Sequence, residues 1–430
     1  MSLYTVNNVN QVTIGGLSAT QLARQYGTPL QVFDVTMIRN QIQAFQKEFE
    51  DRGMRGIVSY ASKAFSCKAI YQVVKQEHAH SDVVSGGEIA TALAAGFPST
   101  SLSFHGNNKS LAELNFAVQK GVGTIILDNF HELELLDQVL NENNTQIDVL
   151  LRVTPGVSAH THSYVQTGQT DSKFGFDIDS GQALKAMRLS QNNPRIHLRG
   201  IHAHIGSQIF EVTGFKLEVK KLVNLLTNWS QKYQFTADIL NIGGGFGIKY
   251  THADDPLAPE LLLGEILDEL QVQYSKLGQP IPTIWIEPGR SIVGPAGFSL
   301  YTIGSRKDVP GLSPYVAVDG GMGDNIRPAL YQADYEAVLA ENPNQPPIET
   351  VRLAGKFCES GDILINHLPL PTTKTGDVLV MLATGAYGYS MASNYNRNPR
   401  PAVVFAENSQ AQLVIQRETY ADMIQNDLDY

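Results

Sequence analysis

Cysteine is nearly absent. The chain of 430 residues holds two, Cys67 and Cys358, too far apart for a disulfide framework and without zinc-ligand spacing. The expectation is a reducing compartment, the cytoplasm, and no metal site. Basic residues are the minority charge, 32 against 42 acidic for a formal net charge of -10, and no Lys/Arg block occurs. Nucleic acid is therefore not an expected partner, because binding a phosphate backbone takes clustered cations. No apolar run approaches the roughly 20 residues that span a bilayer, so no membrane association is expected. The opening M-S-L-Y-T-V-N-N-V-N lacks the basic start and apolar core of a secretory signal. Short-period repeats and low-complexity tracts are also missing. The composition that remains, 43% hydrophobic, is that of a globular protein of two or three domains, or of one large barrel with an appended domain.

From about Arg55 to Arg290, short β-rich runs alternate with stretches of helical period. Strand-like runs start at Gly56, Ser81, Ser101, Gly123, Asp148, Gly200, Ile239 and Thr283. Helix candidates between them include Gly87–Ala95, Leu111–Lys120, Phe130–Asn141, Gly181–Gln191, Gly214–Tyr233 and Pro259–Lys276. Eight such alternations predict an α/β fold with a (β/α)8 TIM-type barrel over residues 36–295. A doubly wound open sheet is the rival, but it places its phosphate loop after the first strand, whereas here the Gly-rich turn follows the seventh. Beyond Arg290 the runs are separated by Gly, Pro and Asn turns with little helical period. They predict a C-terminal, mainly antiparallel β-domain, residues 296–430, joined by residues 1–35 through a strand at Pro29–Asp34.

A barrel active site lies where strands end and βα loops begin. Those ends carry Lys63, His105, His202, His204, Ser207, the run Gly243–Gly247 and the segment Glu287–Arg290. A glycine run lets backbone N–H groups approach an anion, and loops after strands seven and eight commonly bind phosphate. Read alone, G-G-G is as well explained by a tight turn; E-P-G-R in the next loop favours phosphate. Lys63 alone reads as a solvated surface lysine. Flanked by Tyr60, Ala61, Ala64 and Phe65, it is expected to be desolvated, which favours the neutral nucleophile. A lysine opposite a phosphate cradle suggests pyridoxal phosphate, and a phosphate-binding aldolase is the alternative. Glu287 fits the pyridine nitrogen of that cofactor or else a barrel-mouth ion pair with Arg290. His204 fits the ring face or else the core.

Three C-terminal segments are too polar for ordinary β-domain loops. G-G-M-G-D-N-I-R-P-A-L-Y carries Arg327 and Tyr331, F-C-E-S-G-D carries Cys358, Glu359 and Asp362, and T-G-A-Y-G-Y-S-M-A-S-N-Y-N carries Tyr387. A thiol beside a carboxylate is expected to stay protonated near neutrality, a proton donor rather than a ready nucleophile. A buried structural cysteine is the alternative.

With Y-A-S-K-A-F, S-D-V-V-S-G-G-E, H-G-N-N-K-S, H-I-G-S-Q, G-G-G-F-G, E-P-G-R-S, D-G-G-M-G-D-N-I-R-P-A-L-Y, C-E-S-G-D and G-A-Y-G-Y-S-M, the chain resembles the diaminopimelate decarboxylases. These belong to the pyridoxal-phosphate group that shares the alanine racemase barrel and includes ornithine decarboxylase. The resemblance runs from about Pro29 to Tyr420. It implies that Lys63 carries the cofactor covalently, His204 stacks on its ring and Glu287 pairs with its nitrogen. Ser207, Gly244, Gly245, Pro288, Gly289, Arg290 and Tyr387 would complete the cofactor site. Arg290, Arg327, Tyr331 and Tyr387 would hold substrate carboxylate, and Glu359 the distal ammonium. Cys358 would donate the proton, entering with Glu359 from the partner subunit, so a homodimer with shared sites is implied. The implied reaction is decarboxylation of meso-2,6-diaminopimelate to L-lysine, the last step of lysine biosynthesis. The alternatives are another diamino acid such as D-ornithine or D-lysine, a carrier-bound amino acid, a racemase, or a non-catalytic regulator. Ser62 departs from the valine frequent in relatives, and Cys67 has no assigned role.

Overall fold

The computed structural model describes residues 3–157 and 172–430. Two compact units form, one of Arg39–Ile248 and Pro256–Ser291, the other of Met1–Ile38, Lys249–Asp255 and Ile292–Tyr430.

The first unit is a closed barrel of parallel strands. They are Gly56–Ala61, His80–Val83, Leu102–Phe104, Thr124–Leu127, Ile147–Thr154, Ile196–His202, Ile239–Asn241 and Thr283–Ile286. The last pairs with the first, Ile284 opposite Gly56, and closes the ring. Parallel strands in such a ring are covered on both faces, which is why they read as apolar runs. Ile126, Leu150, Ile239 and Trp285, from four of these strands, pack as one buried cluster. Polar caps start several helices directly after their strands. Ser85 accepts from Glu88 N at the head of Gly86–Ala94, Ser110 and Glu113 form a capping box on Leu111–Gln119, and Asn129 caps Phe130–Glu142.

Two details differ from the sequence reading. Strand six begins at Ile196 rather than Gly200; an irregular register between Leu198 and Gly200 splits its pattern. Gly200 is required there, since a Cβ would lie 1.8 Å from the Ile239 carbonyl oxygen. The helix Lys68–Gln76 escapes the periodicity because I-Y-Q-V-V is equally good strand sequence. Burial of Ile70, Tyr71, Val73 and Val74 along one face decides for helix.

The second unit is a mainly antiparallel sheet. Its strand order is Ile363–Leu370, Glu349–Ala354, Tyr315–Val318, Gly297–Lys307, Leu30–Asp34, Ala402–Glu407 and Gln410–Ile415. Val378–Met381 also pairs with Gly297–Lys307 and carries Ala337–Leu339 on its other edge. Two pairs are parallel, Leu30–Asp34 with Ala402–Glu407 and Tyr315–Val318 with Glu349–Ala354. Val12, Ile14 and Leu22 pack with Leu30, Val32, Phe298 and Val404, so the N-terminal segment supplies part of this unit's core. Among the described residues no helix is long and apolar enough to cross a membrane.

Candidate active site

Glu287, just past barrel strand eight, is buried. Its Oε1 accepts from Asn241 Nδ2 at 2.5 Å and lies 3.2 Å from His105 Nε2, while Oε2 sits 3.0 Å from His202 Nε2. Burial opposes the charge on this carboxylate, but the two imidazoles and their hydrogen bonds outweigh it and hold the pKa well below the usual range. His202 is pushed down to about 4, chiefly by burial against the pull of Glu287. It is therefore neutral, donating from Nε2 to Glu287. Its Nδ1, which has no partner, is the bare nitrogen. His105, His202 and Glu287 each offer a ligand atom within 4.8 Å of one another, and Asn241 and His202 already hydrogen-bond the two carboxylate oxygens, leaving each a further lone pair.

Asp82, on strand two, shows the opposite behaviour. Burial and the charge of Glu287 raise its pKa well above the ordinary value, while Ser59 at 2.5 Å and Ser103 at 3.0 Å donate to Oδ1. These two neighbouring acids are thus shifted in opposite directions, Glu287 towards its charged form and Asp82 towards its neutral form.

Lys63 follows strand one on the short helical turn Ser62–Ala64. Its neighbours Tyr60, Ala61, Ala64 and Phe65 turn into the core, and the lysine itself is exposed. The desolvation expected from its sequence neighbours is not met, because those apolar side chains are themselves buried and leave the lysine exposed. Its charge nevertheless reaches Asp82, Glu88 and His204. His204 is partly buried, and its pKa lies well below normal, first through burial and then through the Lys63 and Arg152 charges. Its Nδ1 accepts from Gly244 N at 3.2 Å, which fixes the ring of a neutral imidazole.

The two glycine segments approach each other through backbone. A Cβ on Gly244 would stand 2.1 Å from the Glu287 carbonyl oxygen, and one on Gly289 2.8 Å from the Ala61 carbonyl oxygen. Gly245 has φ +106, a region that side chains rarely adopt. Arg290 is buried, and its Nε and Nη2 donate to Ser207 Oγ at 3.2 and 3.0 Å. Pro288 is buried between Glu287 and this pair. The barrel unit thus brings together Lys63, His204, Ser207, Gly244, Gly245, Glu287, Pro288, Gly289 and Arg290.

Arg327, Tyr331, Cys358, Glu359 and Tyr387 fall in the other unit. Arg327 is buried, its guanidinium 4.7 Å from the Tyr250 ring centroid and 5.4 Å from that of Tyr335, whose hydroxyl it also meets. No carboxylate among the described residues forms an ion pair with it; the two tyrosines are its neighbours. Tyr331 is exposed, as are Cys358 and Glu359; Tyr387 is partly buried. Cys358 N donates to Asn396 Oδ1 at 2.8 Å, and Tyr395 OH donates to Glu359 Oε2 at 3.3 Å.

Residues 35–294 match the family model of the pyridoxal-dependent decarboxylase, pyridoxal binding domain. The diaminopimelate decarboxylase of Bacillus methanolicus is 54% identical over 413 residues, covering 96% of both chains. That of Bacillus subtilis (strain 168) is 52% identical, covering all of this chain and 99% of its own. The chain belongs to the diaminopimelate decarboxylase family. A crystal structure of the diaminopimelate decarboxylase from M. jannaschii with L-lysine superposes with a TM-score of 0.91 at 32% identity, covering 99% of this chain and 98% of that one. The barrel residues suit the cofactor of such a decarboxylase. An exposed amine at Lys63, an ionised Glu287 and a backbone cradle that side chains would fill are what an aldehyde, a pyridine nitrogen and a phosphate require.

Sequence reasoning missed Asp82, Asn241 and Arg152. Each sits within a barrel strand in a run that reads as core, and its partner lies far along the chain. A charged residue inside such a run is the available signal, since an unpaired buried charge is not tolerated. Ser62 Oγ lies 2.7 Å from Asp82 O and 2.8 Å from Glu88 Oε2, two acceptors that share its single hydroxyl hydrogen.

Proposed function

We propose that this decarboxylase removes the D-centre carboxylate of meso-2,6-diaminopimelate, giving L-lysine and carbon dioxide. The observation that carries the reading is Glu287, held ionised in a buried site by His105, His202 and Asn241 on the loop next to the glycine cradle. Pyridoxal phosphate, when bound, supplies an electron sink for the pair left by the departing carboxylate. Lys63 is the residue to hold it covalently, and Glu287 keeps its pyridine nitrogen protonated. His204, fixed by Gly244 N–H, packs on the ring. Ser207, Gly244, Gly245, the Glu287–Arg290 loop and Tyr387 hold its phosphate end.

Arg290, Arg327, Tyr331 and Tyr387 bind substrate carboxylate, and Glu359 the distal ammonium. A diamino acid lacking the distal carboxylate leaves the buried Arg327 unpaired, which selects against D-lysine and D-ornithine. Cys358 gives its thiol proton to the carbon that lost carbon dioxide. We further propose a homodimer in which Cys358 and Glu359 enter the partner's site, with residues 1–35 and 296–430 contributing to site and interface. The setting is the cytoplasm, where free thiols such as Cys67 and Cys358 persist.

Lys63→Ala tests the reading. The purified wild-type protein should show cofactor absorbance and release carbon dioxide from meso-diaminopimelate, and the variant should lose both. Wild-type protein without either property contradicts the proposal.

A further inference from the structure

Asp362 belongs to a segment rich in candidate chemistry, yet it has no part in the reaction above. It is buried, and no cation among the described residues pairs with it. Instead its carboxylate spans two backbone segments: Oδ1 accepts from Met322 N at 2.7 Å and Oδ2 from Phe357 N at 2.9 Å. Two glycines make room for it. A Cβ on Gly321 would come within 2.6 Å of the carboxylate oxygens, and one on Gly355 within 2.2 Å. The chain thus gives up side chains at both positions to bring one carboxylate against two N–H groups.

Each segment leads directly to a site residue. From Met322, the Gly321 carbonyl accepts from Asn325 N at 3.0 Å, and Asn325 Oδ1 accepts from Arg327 N at 3.3 Å. From Phe357, the carbonyl accepts from Glu359 N at 2.8 Å, and Cys358 is the residue between. Lys356 N also donates to the Gly320 carbonyl at 2.9 Å, so the segments touch on both sides of the carboxylate. The segment carrying Asn396, which accepts from Cys358 N, joins the same junction through Ser393 N to Gly323 O at 3.0 Å.

We propose that Asp362 is a positioning residue that ties the segment of Arg327 to the segment of Cys358 and Glu359. This rests on the shared-site dimer proposed above, in which a subunit's Arg327 serves its own site and its Cys358 the partner's. One carboxylate then sets the carboxylate-binding group of one site and the proton donor of the other.

Asp362→Asn is nearly isosteric but turns an NH2 group toward one of the two N–H donors. Holoenzyme of this variant should keep wild-type cofactor absorbance, while KM for meso-diaminopimelate rises and kcat falls, each about tenfold or more. Loss of cofactor absorbance would mark a general structural role and overturn the proposal, as would wild-type kcat and KM. Asp362→Ala, which leaves space for water to meet both N–H groups, repeats the test if the amide variant does not fold.

Re-dimerised mixtures separate the two duties. Mixing Asp362→Asn with Lys63→Ala leaves one site with intact Lys63 and Cys358 but a loosened Arg327. Mixing it with Cys358→Ala leaves one site intact except for a displaced Cys358. Both mixtures should fall well short of the quarter activity expected of complementing subunits, and a full quarter in either overturns the tie. A Lys63→Ala and Cys358→Ala mixture is the reference. If it shows no recovery the shared site fails, and the kcat and KM of Asp362→Asn still decide the role of Asp362.

Discussion

Glu287 and Asp82 are two buried acids a few ångströms from the same histidine, His105, yet their pKa values are shifted in opposite directions. Hydroxyls can serve either form of a carboxyl group, so Ser59 and Ser103 leave Asp82 free to keep its proton. Asn241 and the Nε2–H of His202 serve only the acceptor oxygens of Glu287. Replacing Glu287 by Gln removes the charge at nearly constant volume. We expect cofactor absorbance to survive and kcat to fall roughly 100-fold, about 2.7 kcal/mol of transition-state stabilisation, measured by carbon dioxide release under saturating substrate. Asp324 gives a residue-scale test in the other unit. Burial, with Asp319 and Asp362 nearby, raises its pKa to about 7. An acid whose folded pKa is raised binds its proton more tightly when folded, so its contribution to stability is full below about pH 4 and is lost as the pH rises to about 7. Asp324→Asn should therefore gain stability over wild type progressively across that window and level off above it, by on the order of 2 kcal/mol in denaturant titrations.

At the scale of elements, the cradle is built from backbone. Gly244→Ala drives a Cβ into the Glu287 carbonyl and displaces both loops. Cofactor affinity should fall at least tenfold in equilibrium titrations of apoprotein, while far-ultraviolet circular dichroism is retained. The same element scale explains what could be read in the sequence. Runs such as Thr124–Leu127, all buried, announce themselves because both faces of a barrel strand are covered. Gly243–Gly247 and Glu287–Arg290 are visible because they fall at the ends of successive barrel strands, where a glycine run that alone would read as a tight turn is joined by a second glycine and a cation. Asp82, Asn241 and the Met322 side of the tie at Asp362 are invisible for the converse reason: their meaning lies in partners such as Ser103, Glu287 and Met322, which are 21, 46 and 40 residues away. The exposure of Lys63 also escapes sequence, since apolar neighbours along the chain need not be neighbours in space.

At the scale of the whole molecule, the chain divides its site residues between two units, with the cofactor set in the barrel and the thiol, Glu359 and Arg327 in the sheet unit. In the proposed function the barrel supplies Lys63, His204, Glu287 and the glycine cradle for the cofactor, the sheet unit adds Tyr387, the selectivity and the proton, and the proposed dimer brings Cys358 of one subunit to Lys63 of the other. Lys63→Ala and Cys358→Ala should each be nearly inactive, and their re-dimerised mixture should recover about a quarter of wild-type activity, as two-fold statistics require. The central claim is the substrate, and its proposed selectivity turns on Arg327, a buried cation that pairs with no carboxylate among the described residues. Its most direct test is carbon dioxide release by the holoenzyme from meso-diaminopimelate, D-lysine, D-ornithine and L-ornithine at equal concentrations. The account predicts release from meso-diaminopimelate at least 100-fold faster than from the others; comparable or faster release from any of the three would contradict it.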